Sequence, residues 1–277
     1  MRCDEIMALL EGLAPRECAC DWDNVGLLAG RSDKEVKKVL IALDATDEVV
    51  AEAVNLGVDL LLTHHPLIFK PLKQINDQNF ISRRILTLLR HDICYYAMHT
   101  NFDAAPGCMA DAAAEKLDLK ELGILDQEGV IYKENRGNTD CPQQEIAYGI
   151  GKTGYLKTEM TVREVALMVK ERFGLPFLSL YGEHAPGDKV EFIAISPGSG
   201  KSMIEPALKA GVQVLITGDI GHHDAIDAAA NGLAVIDAGH YGLEYLFMDF
   251  MASYMRKETA GKLEIYETEV AFPAVVI

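Results

Sequence analysis

An apolar run ends in two histidines and a proline at Leu60-Leu61-Leu62-Thr63-His64-His65-Pro66, and it is the strongest indication of the fold. Such a run predicts a buried β-strand, and Pro66 ends it because proline lacks the N–H that a strand ladder needs. Ligands of open α/β sheets bind beyond the carboxyl ends of the strands. Because adjacent side chains point to opposite faces of a strand, His64 and His65 suit two different metal ions better than one. A structural role for either histidine is the alternative.

The segments around this stretch alternate between strand-like and helix-like patterns. Apolar runs at 38–43, 59–63 and 93–98 are each followed by a helix-period segment, at 47–56, 79–91 and from 107 to about 117. This alternation predicts a largely parallel sheet covered by helices on both faces. The predicted fold class is α/β, layered α/β/α, in two lobes, with a metal site in the cleft between the N- and C-terminal segments.

The pattern changes between about 126 and 154, where polar residues and glycines separate short β-like pieces. We predict that residues 126–211 form a second, smaller α/β lobe, with a helix at 161–173, a strand at 190–196 and a helix at 199–210. The metal-binding lobe then comprises residues 1–125 together with 212–277. Its C-terminal part contains predicted strands at 212–217 and 233–237 and a helix at 240–255.

Residue types that commonly bind metals also follow two other predicted strands. Asp103 follows the run at 93–98, although a turn or helix-capping aspartate is the alternative there. His240 and Glu244 follow the run at 233–237 and are four residues apart. That spacing places both side chains on one helical face, as in helical metal motifs, although a surface pair worth a few tenths of a kcal/mol has the same spacing.

Together the candidate ligands supply three imidazoles and two carboxylates: His64, His65, Asp103, His240 and Glu244. This mixed set suits two divalent ions such as Zn, Fe or Mn and leaves coordination positions open. A structural zinc site is closed by four ligands and is usually rich in cysteine. The set therefore predicts a catalytic or sensory site.

His99 and His223 also follow predicted strands, and we consider both as residues that orient a metal ligand or transfer a proton. For His223, a helix-start histidine bound within its own turn is an equal alternative. His91 and His184 lack such a context and are expected at the surface.

The segment Pro197-Gly198-Ser199-Gly200-Lys201-Ser202 imitates a nucleotide-binding P-loop. That motif needs a glycine where this chain has Ile195, so the loop is too short to surround phosphates. A weaker possibility is that the helix start beyond Gly198 binds one anionic group.

Composition limits the class of protein. The net charge of −16 disfavours nucleic acid as a partner. Asp4 and Glu5 occupy the place where a signal peptide is basic, and no apolar run is long enough to cross a bilayer. The six cysteines, Cys141 among them, lack a CxxC pair and are expected to be free thiols. We therefore expect a cytoplasmic protein without a membrane partner.

The chain resembles the Nif-three-like family, whose bacterial members are often labelled GTP cyclohydrolase 1 type 2 homologues. The resemblance is carried, in the family's order, by Trp22-Asp23-Asn24-Val25-Gly26-Leu27, Thr63-His64-His65-Pro66, His99-Thr100-Asn101-Phe102-Asp103, Gly198-Ser199-Gly200, Thr217-Gly218-Asp219, His223-Asp224-Ala225 and His240-Tyr241-Gly242-Leu243-Glu244. It spans nearly the whole chain and is weakest from about 126 to 186. It implies a dinuclear metal centre on the five candidate ligands, and assembly as a ring-shaped homohexamer.

The function expected from this set is metal-assisted hydrolysis of a small molecule. The family label suggests opening of the GTP imidazole ring, but no guanine-reading or triphosphate-binding motif identifies the substrate. The alternative is a non-enzymatic metal-handling protein or interaction scaffold that forms a hexameric ring.

Overall fold

The computed structural model describes residues 1–133, 144–183 and 187–277, so Cys141 and His184 lie outside the described residues. The chain forms two compact units, which confirms the two-lobed α/β fold. Unit 1 comprises Met1–Phe102 and Phe247–Val270, and unit 2 comprises Asp103–Leu246 and Ala271–Ile277. The chain leaves unit 1 after Phe102, returns to it at Phe247 and leaves it again after Val270.

The helices of the described residues are α1 (Cys3–Leu13), α2 (Asp47–Leu56), α3 (Phe80–Arg90), α4 (Thr100–Ala104), α5 (Met109–Lys116), α6 (Val162–Arg172), α7 (Ile204–Ala210), α8 (His222–Ala230), α9 (His240–Glu244) and α10 (Leu246–Glu258). The strands are β1 (Gly26–Ala29), β2 (Lys38–Ala42), β3 (Leu60–Thr63), β4 (Cys94–Ala97), β5 (Lys120–Lys133), β6 (Gln144–Met160), β7 (Ser179–Tyr181), β8 (Val190–Ser199), β9 (Val214–Gly218), β10 (Ala234–Asp237) and β11 (Glu264–Glu267).

The sheet of unit 1 has the strand order β1-β4-β3-β2-β11. The last four strands in this order are parallel, and β1 joins β4 antiparallel. Leu40, Leu61 and Tyr95 share a buried cluster with side chains of α2 and α3. Leu62 and Tyr96, whose side chains alternate with these along the strands, are at most 1% exposed. Both faces are therefore buried, which explains why β3 is a continuous apolar run.

Local signals fix the helices of unit 1 close to their predicted ends. The Thr46 hydroxyl accepts a hydrogen bond from Val49 N at the start of α2, and Gly57 ends that helix with a φ of 61°. The Asn79 side chain accepts hydrogen bonds from Ile81 N and Ser82 N at the start of α3. Capping side chains of this type explain why the sequence placed both helices correctly.

The sheet of unit 2 has the strand order β5-β6-β8-β9-β10-β7 among its described residues. Strands β8, β9 and β10 are parallel, whereas β5, β6 and β7 join antiparallel. The sequence predicted a largely parallel sheet, and the structure instead divides the strands between two sheets with antiparallel edges. The difference arises in the long β5–β6 pair, whose polar and glycine-rich sequence showed only as short β-like pieces.

Helices cover both faces of the parallel part of this sheet. Ile193, Val214 and Ile236 pack with residues of α5 and α6. Residues one position along the strands, such as Leu215 and Val235, pack in a second cluster with residues of α7 and α8. Unit 2 thus has the predicted α/β/α layering.

The unit borders differ from the predicted lobes of 1–125 with 212–277 and 126–211. Residues 103–125 and 212–246 belong to unit 2, because β9 and β10 pair beside β8 in its sheet. The C-terminal return to unit 1 begins at Phe247 rather than near 212. Sequence pattern alone did not show which of the two sheets each apolar strand joins.

Two predicted helices are interrupted. The segment predicted as one helix from 240 to 255 forms α9 and α10, with Tyr245 between them. The segment at 199–210 begins as the end of β8, makes a 3-10 turn at Lys201–Met203 and becomes helical at Ile204. Within the described ranges, no helix has the length and apolar character that spanning a membrane requires. Cys3, Cys18 and Cys94 are free thiols, as predicted.

The central position of β3 makes a stability prediction. Leu61 is fully buried in unit 1, so Leu61→Ala should lower the free energy of unfolding by about 2–5 kcal/mol. Leu89, which is 45% exposed on α3, provides the matched control, and Leu89→Ala should change it by no more than about 0.5 kcal/mol. Urea denaturation of both variants measures the difference; equal losses would contradict the burial.

Candidate metal centre

Three imidazoles lie together in unit 1. The ring centroids of His64 and His65 are 4.9 Å apart, and His99 lies 5.3 Å from His64 and 5.6 Å from His65. One ligand atom from each ring lies within 4.8 Å of the other two, an arrangement that can hold a metal ion. Because β3 and β4 are neighbouring parallel strands, the residues that follow them meet at the same sheet edge.

Each of the three rings is oriented through its Nδ1 atom. His64 Nδ1 lies 2.7 Å from the carbonyl oxygen of Met98, and His65 Nδ1 lies 2.8 Å from Asp44 Oδ1. Since these oxygens accept hydrogen bonds, Nδ1 carries the proton and Nε2 keeps the lone pair that binds metals. A hydrogen bond at Nδ1 that leaves the lone pair of Nε2 available is typical of metal-bound histidines.

His99 is held by a buried carboxylate. Its Nδ1 lies 2.9 Å from both oxygens of Asp23, whose side chain is fully buried and also accepts hydrogen bonds from Thr100 N and Thr100 Oγ1. Burial favours the neutral carboxyl, but the hydrogen bonds from His99 and Thr100 outweigh it and lower the pKa of Asp23 to about 2. Asp23 is therefore ionised at neutral pH, and its carboxylate fixes the orientation of the His99 ring.

Unit 2 brings together the other candidate ligands. His240 and Glu244 lie on α9, with His240 Nε2 2.9 Å from Glu244 Oε2. His240 Nδ1 is 2.8 Å from Asp219 Oδ2, so this imidazole is oriented in the same way as those of unit 1. A carboxylate oxygen of Asp103 lies within 4.8 Å of one of Glu244. Asp103 lies inside α4, so the alternative of a helix-capping aspartate does not apply.

Glu244 is a buried acidic group, with a side chain that is only 3% exposed. A carboxylate removed from water is costly unless it is paired with positive charge. His240 is the partner shown at hydrogen-bond distance, and a carboxylate of Asp103 lies close by. Two carboxylates and an imidazole at this spacing would be stabilised by a divalent cation. The surface-pair alternative for His240 and Glu244 is wrong for Glu244, because that side chain is buried.

Gly198 makes room for this carboxylate. Its φ is +85°, and a Cβ added there would lie 2.5 Å from Glu244 Oε1. The first glycine of the segment that imitates a P-loop therefore packs directly against the carboxylate of a candidate metal ligand. Gly200 N donates to Gly218 O, and Lys201 pairs with Asp224 at 3.2 Å. Helix α7 therefore begins at Ile204, after the end of β8 and a 3-10 turn, and not directly beyond Gly198.

A cavity of about 320 Å³ lies beside His240 in unit 2. Its walls include Asp219, Tyr241, Phe177 and Phe272, and no lysine or arginine lines it among the described residues. Tyr241 and Phe272 contact each other with ring centroids 5.5 Å apart. The cavity can accept a small apolar or planar group but offers no cation to a phosphate.

The remaining histidines lie in different surroundings. His99, predicted only to support the site, lies in the imidazole cluster itself. His223 is exposed on the first turn of α8 with its ring 5.2 Å from that of His222, which favours the helix-start alternative. His91 is exposed, as expected.

Two carboxylates that orient the candidate ligands, Asp44 and Asp219, were not predicted from the sequence. Asp44 lies two residues after β2, and Asp219 directly follows β9. A sequence signal for both was present, because each follows the carboxyl end of a parallel strand, as the predicted histidine ligands do.

The family Duf34/NIF3 (NGG1p interacting factor 3) matches residues 1–272. The chain belongs to the Duf34/NIF3 family. This confirms the resemblance and extends it across the segment where the sequence motifs were weakest. Relatives of the chain carry the name GTP cyclohydrolase 1 type 2 homolog, among them proteins from two bacteria. The one from Clostridium perfringens is 34% identical over 245 residues, covering 88% of this chain and 87% of its own. The one from Streptomyces coelicolor is 35% identical over 255 residues, covering 92% and 85%.

Solved structures of this family share the fold. The crystal structure of a Bacillus cereus protein related to NIF3 has a TM-score of 0.90 at 25% identity, covering 100% of this chain and 99% of that one. Staphylococcus aureus protein SA1388 has a TM-score of 0.86 at 32% identity, with the same coverage. The two-sheet α/β architecture is therefore that of Duf34/NIF3 proteins.

The close approach of Gly198 to Glu244 predicts the effect of a single added methyl group. Gly198→Ala should destabilise the protein beyond the roughly 1–2 kcal/mol expected for a left-handed alanine, because Cβ would displace Glu244. Gly174 is the matched control, since its φ is +61° and nothing lies within 4 Å of an added Cβ. Thermal denaturation of both variants tests this, and equal shifts in Tm would contradict it.

Proposed function

We propose that this chain binds two divalent metal ions through His64, His65, Asp103, His240 and Glu244, and that it is a metal-dependent hydrolase of a small molecule. The observation that carries the proposal is the common orientation of the three imidazoles in this set. Each has its Nδ1 atom at 2.7–2.8 Å from an oxygen acceptor, which leaves Nε2 as the ligand atom.

The donor set fits a catalytic rather than a structural metal. Imidazole nitrogens and carboxylate oxygens suit Zn, Fe or Mn, and five protein ligands shared by two ions leave positions for substrate and water. The potential metal-binding groups of the described residues contain no cysteine. The acceptors of Asp44, Asp219 and Met98 would then hold the ligands in place before an ion arrives.

Glu244 is the best candidate to bridge the two ions. Within unit 2, one of its oxygens contacts His240 Nε2, and an oxygen of Asp103 lies within 4.8 Å. A carboxylate has two oxygens, so Glu244 would hold metal together with both His240 and Asp103. Its negative charge would offset the mutual repulsion of two cations.

When bound, two divalent ions would lower the pKa of water and stabilise negative charge that develops on a substrate. His99 would contribute by moving a proton at Nε2. Asp23 fixes the ring through Nδ1 and so leaves Nε2 as the atom that takes part. The names of the relatives point to GTP, but the cavity beside His240 supplies no lysine or arginine to a triphosphate among the described residues. We therefore propose a small-molecule substrate without restricting it to GTP.

The first test is metal content. Protein purified without chelators should carry close to two transition-metal ions per chain by elemental analysis. Glu244→Gln keeps the size of the side chain but removes the bridging charge, so at least one ion should be lost or bound much more weakly. His223→Gln, at an exposed position on α8, should keep both ions.

His99→Gln separates a supporting histidine from a ligand. The variant should retain both ions with an affinity reduced by at most about 10–100-fold. Wild-type protein that holds no metal even after Zn, Mn or Fe is added would contradict the proposal. Full occupancy of Glu244→Gln would remove Glu244 as the bridge.

Activity is tested on the same samples. Metal-loaded wild type, metal-stripped protein and Glu244→Gln should be compared on nucleotides including GTP, phosphoesters and small amides. We expect turnover of at least one class by the loaded wild type only. Full metal occupancy with no turnover across the panel would favour the alternative of a metal-handling protein or scaffold.

Assembly is a separate proposal, which rests on the family resemblance. We propose that the chain forms a homohexamer. Light scattering after size-exclusion chromatography should give a mass near six times that of the 30.4 kDa chain. A monomeric mass at micromolar concentration would contradict this.

A further inference from the structure

The chain has one tryptophan, and it lies at the surface beside the imidazole cluster of unit 1. Trp22 is 61% exposed. Its ring centroid is 6.2 Å from that of His99. Tryptophan buries more apolar area than most residues when it is covered, so an exposed indole beside other aromatic rings offers a large contact surface to a ligand.

Phe69 extends this surface. It is 46% exposed, and its ring centroid lies 5.7 Å from that of Trp22 and 6.3 Å from that of His99. All three rings meet edge to face rather than in parallel stacks. We call Trp22 and Phe69 the aromatic platform.

Hydrogen bonds hold the platform in place through the residues next to each ring. Asp23, which follows Trp22, binds His99 Nδ1 and Thr100 N. Asn24 Nδ2 donates to the carbonyl oxygen of Ile68, the residue before Phe69, at 2.6 Å. The two aromatic residues are thus tied both to His99 and to each other. Preorganised groups of this kind lose little entropy when a ligand binds.

The size of the platform indicates what covers it. Two aromatic side chains bury at most about 300–500 Å². A stable protein interface needs roughly 800 Å² from each partner. One planar ring system of a small molecule, in contrast, can be covered by two side chains. The position beside His99, whose ring is 5.3 Å from that of His64, places such a ring next to candidate metal ligands.

We propose that the aromatic platform binds the planar heteroaromatic ring of the substrate, with a purine as the test case, and presents its edge to His99. The proposal rests on the hydrolase function in that it names the substrate class of the same site. Stacking on an aromatic side chain does not need hydrogen-bond partners specific to one base, since every base has a π face. This is compatible with a sequence that lacks a guanine-reading motif.

The single tryptophan makes the experiment direct. Guanosine and adenosine are titrated into metal-loaded wild-type protein while the fluorescence of Trp22 is recorded. Ribose 5-phosphate and inorganic triphosphate, which lack an aromatic ring, serve as control probes. We expect saturable quenching by the nucleosides and none by these two probes.

Substitutions of the two platform residues test whether the nucleosides bind there. Phe69→Leu should weaken nucleoside affinity by about 5- to 150-fold, the range expected for losing one stacking side chain. Trp22→Leu should do the same, measured by calorimetry because the variant has no tryptophan. Phe80 is the matched control, since it is 51% exposed on α3 with the Arg84 guanidinium over its ring. Phe80→Leu should bind nucleosides like the wild type.

The metal content of every sample separates this proposal from the preceding one. Saturable quenching in a chain that binds no metal would support the platform and contradict the metal proposal. Two bound ions with no nucleoside binding would overturn the platform alone. A change of assembly mass in Trp22→Leu, without nucleoside binding to the wild type, would also overturn it, because the platform would then be a contact between copies. Equal affinities in Phe69→Leu, Trp22→Leu and Phe80→Leu would place the ring elsewhere.

Discussion

A hydrogen bond at Nδ1 governs every candidate metal-binding imidazole of this chain. The acceptors are Met98 O for His64, Asp44 for His65, Asp219 for His240 and, for the neighbouring His99, Asp23. Each bond fixes the tautomer and the plane of the ring, so the lone pair of Nε2 points in one direction. Without these acceptors, a ring could rotate or protonate at Nε2, and the cluster would be a group of unrelated polar side chains. The chemistry proposed for the chain depends on this constraint.

The fold supplies the acceptors through the geometry of parallel strands. Asp44 follows β2, His64 and His65 follow β3, and Met98 and His99 follow β4, all at one edge of the sheet in unit 1. In unit 2, Asp219 follows β9 and His240 follows β10, again on neighbouring parallel strands. The buried apolar bodies of these strands are rigid because both faces pack against other elements. Ligand and acceptor positions are therefore set by the core and not by flexible loops.

Much of this arrangement could be predicted from the sequence, because its signals are local. Apolar runs followed within a few residues by His64, Asp103 or His240 marked the strand ends. The i, i+4 spacing of His240 and Glu244 needed only one helical turn. What the sequence did not show depends on contacts between distant residues. Gly198 meets Glu244 across more than forty positions of the chain, and Asp23 meets His99 across more than seventy. The division of the strands between two sheets also depends on distant contacts, because the sequence of an apolar strand does not show which strand it pairs with.

The division of unit 1 into two chain segments also has a consequence for the order of events during synthesis. Strand β11 pairs in parallel with β2, with Ile265 opposite Val39. The ribosome must therefore make all of the intervening chain, including the strands of unit 2, before β2 receives this neighbour. Until then β2 presents an open edge, and open edges of apolar strands invite pairing with other chains. A nascent chain of this protein would be most prone to aggregate while the segment Phe247–Val270 is still unmade, and chaperone binding to β2 would be most useful in that interval.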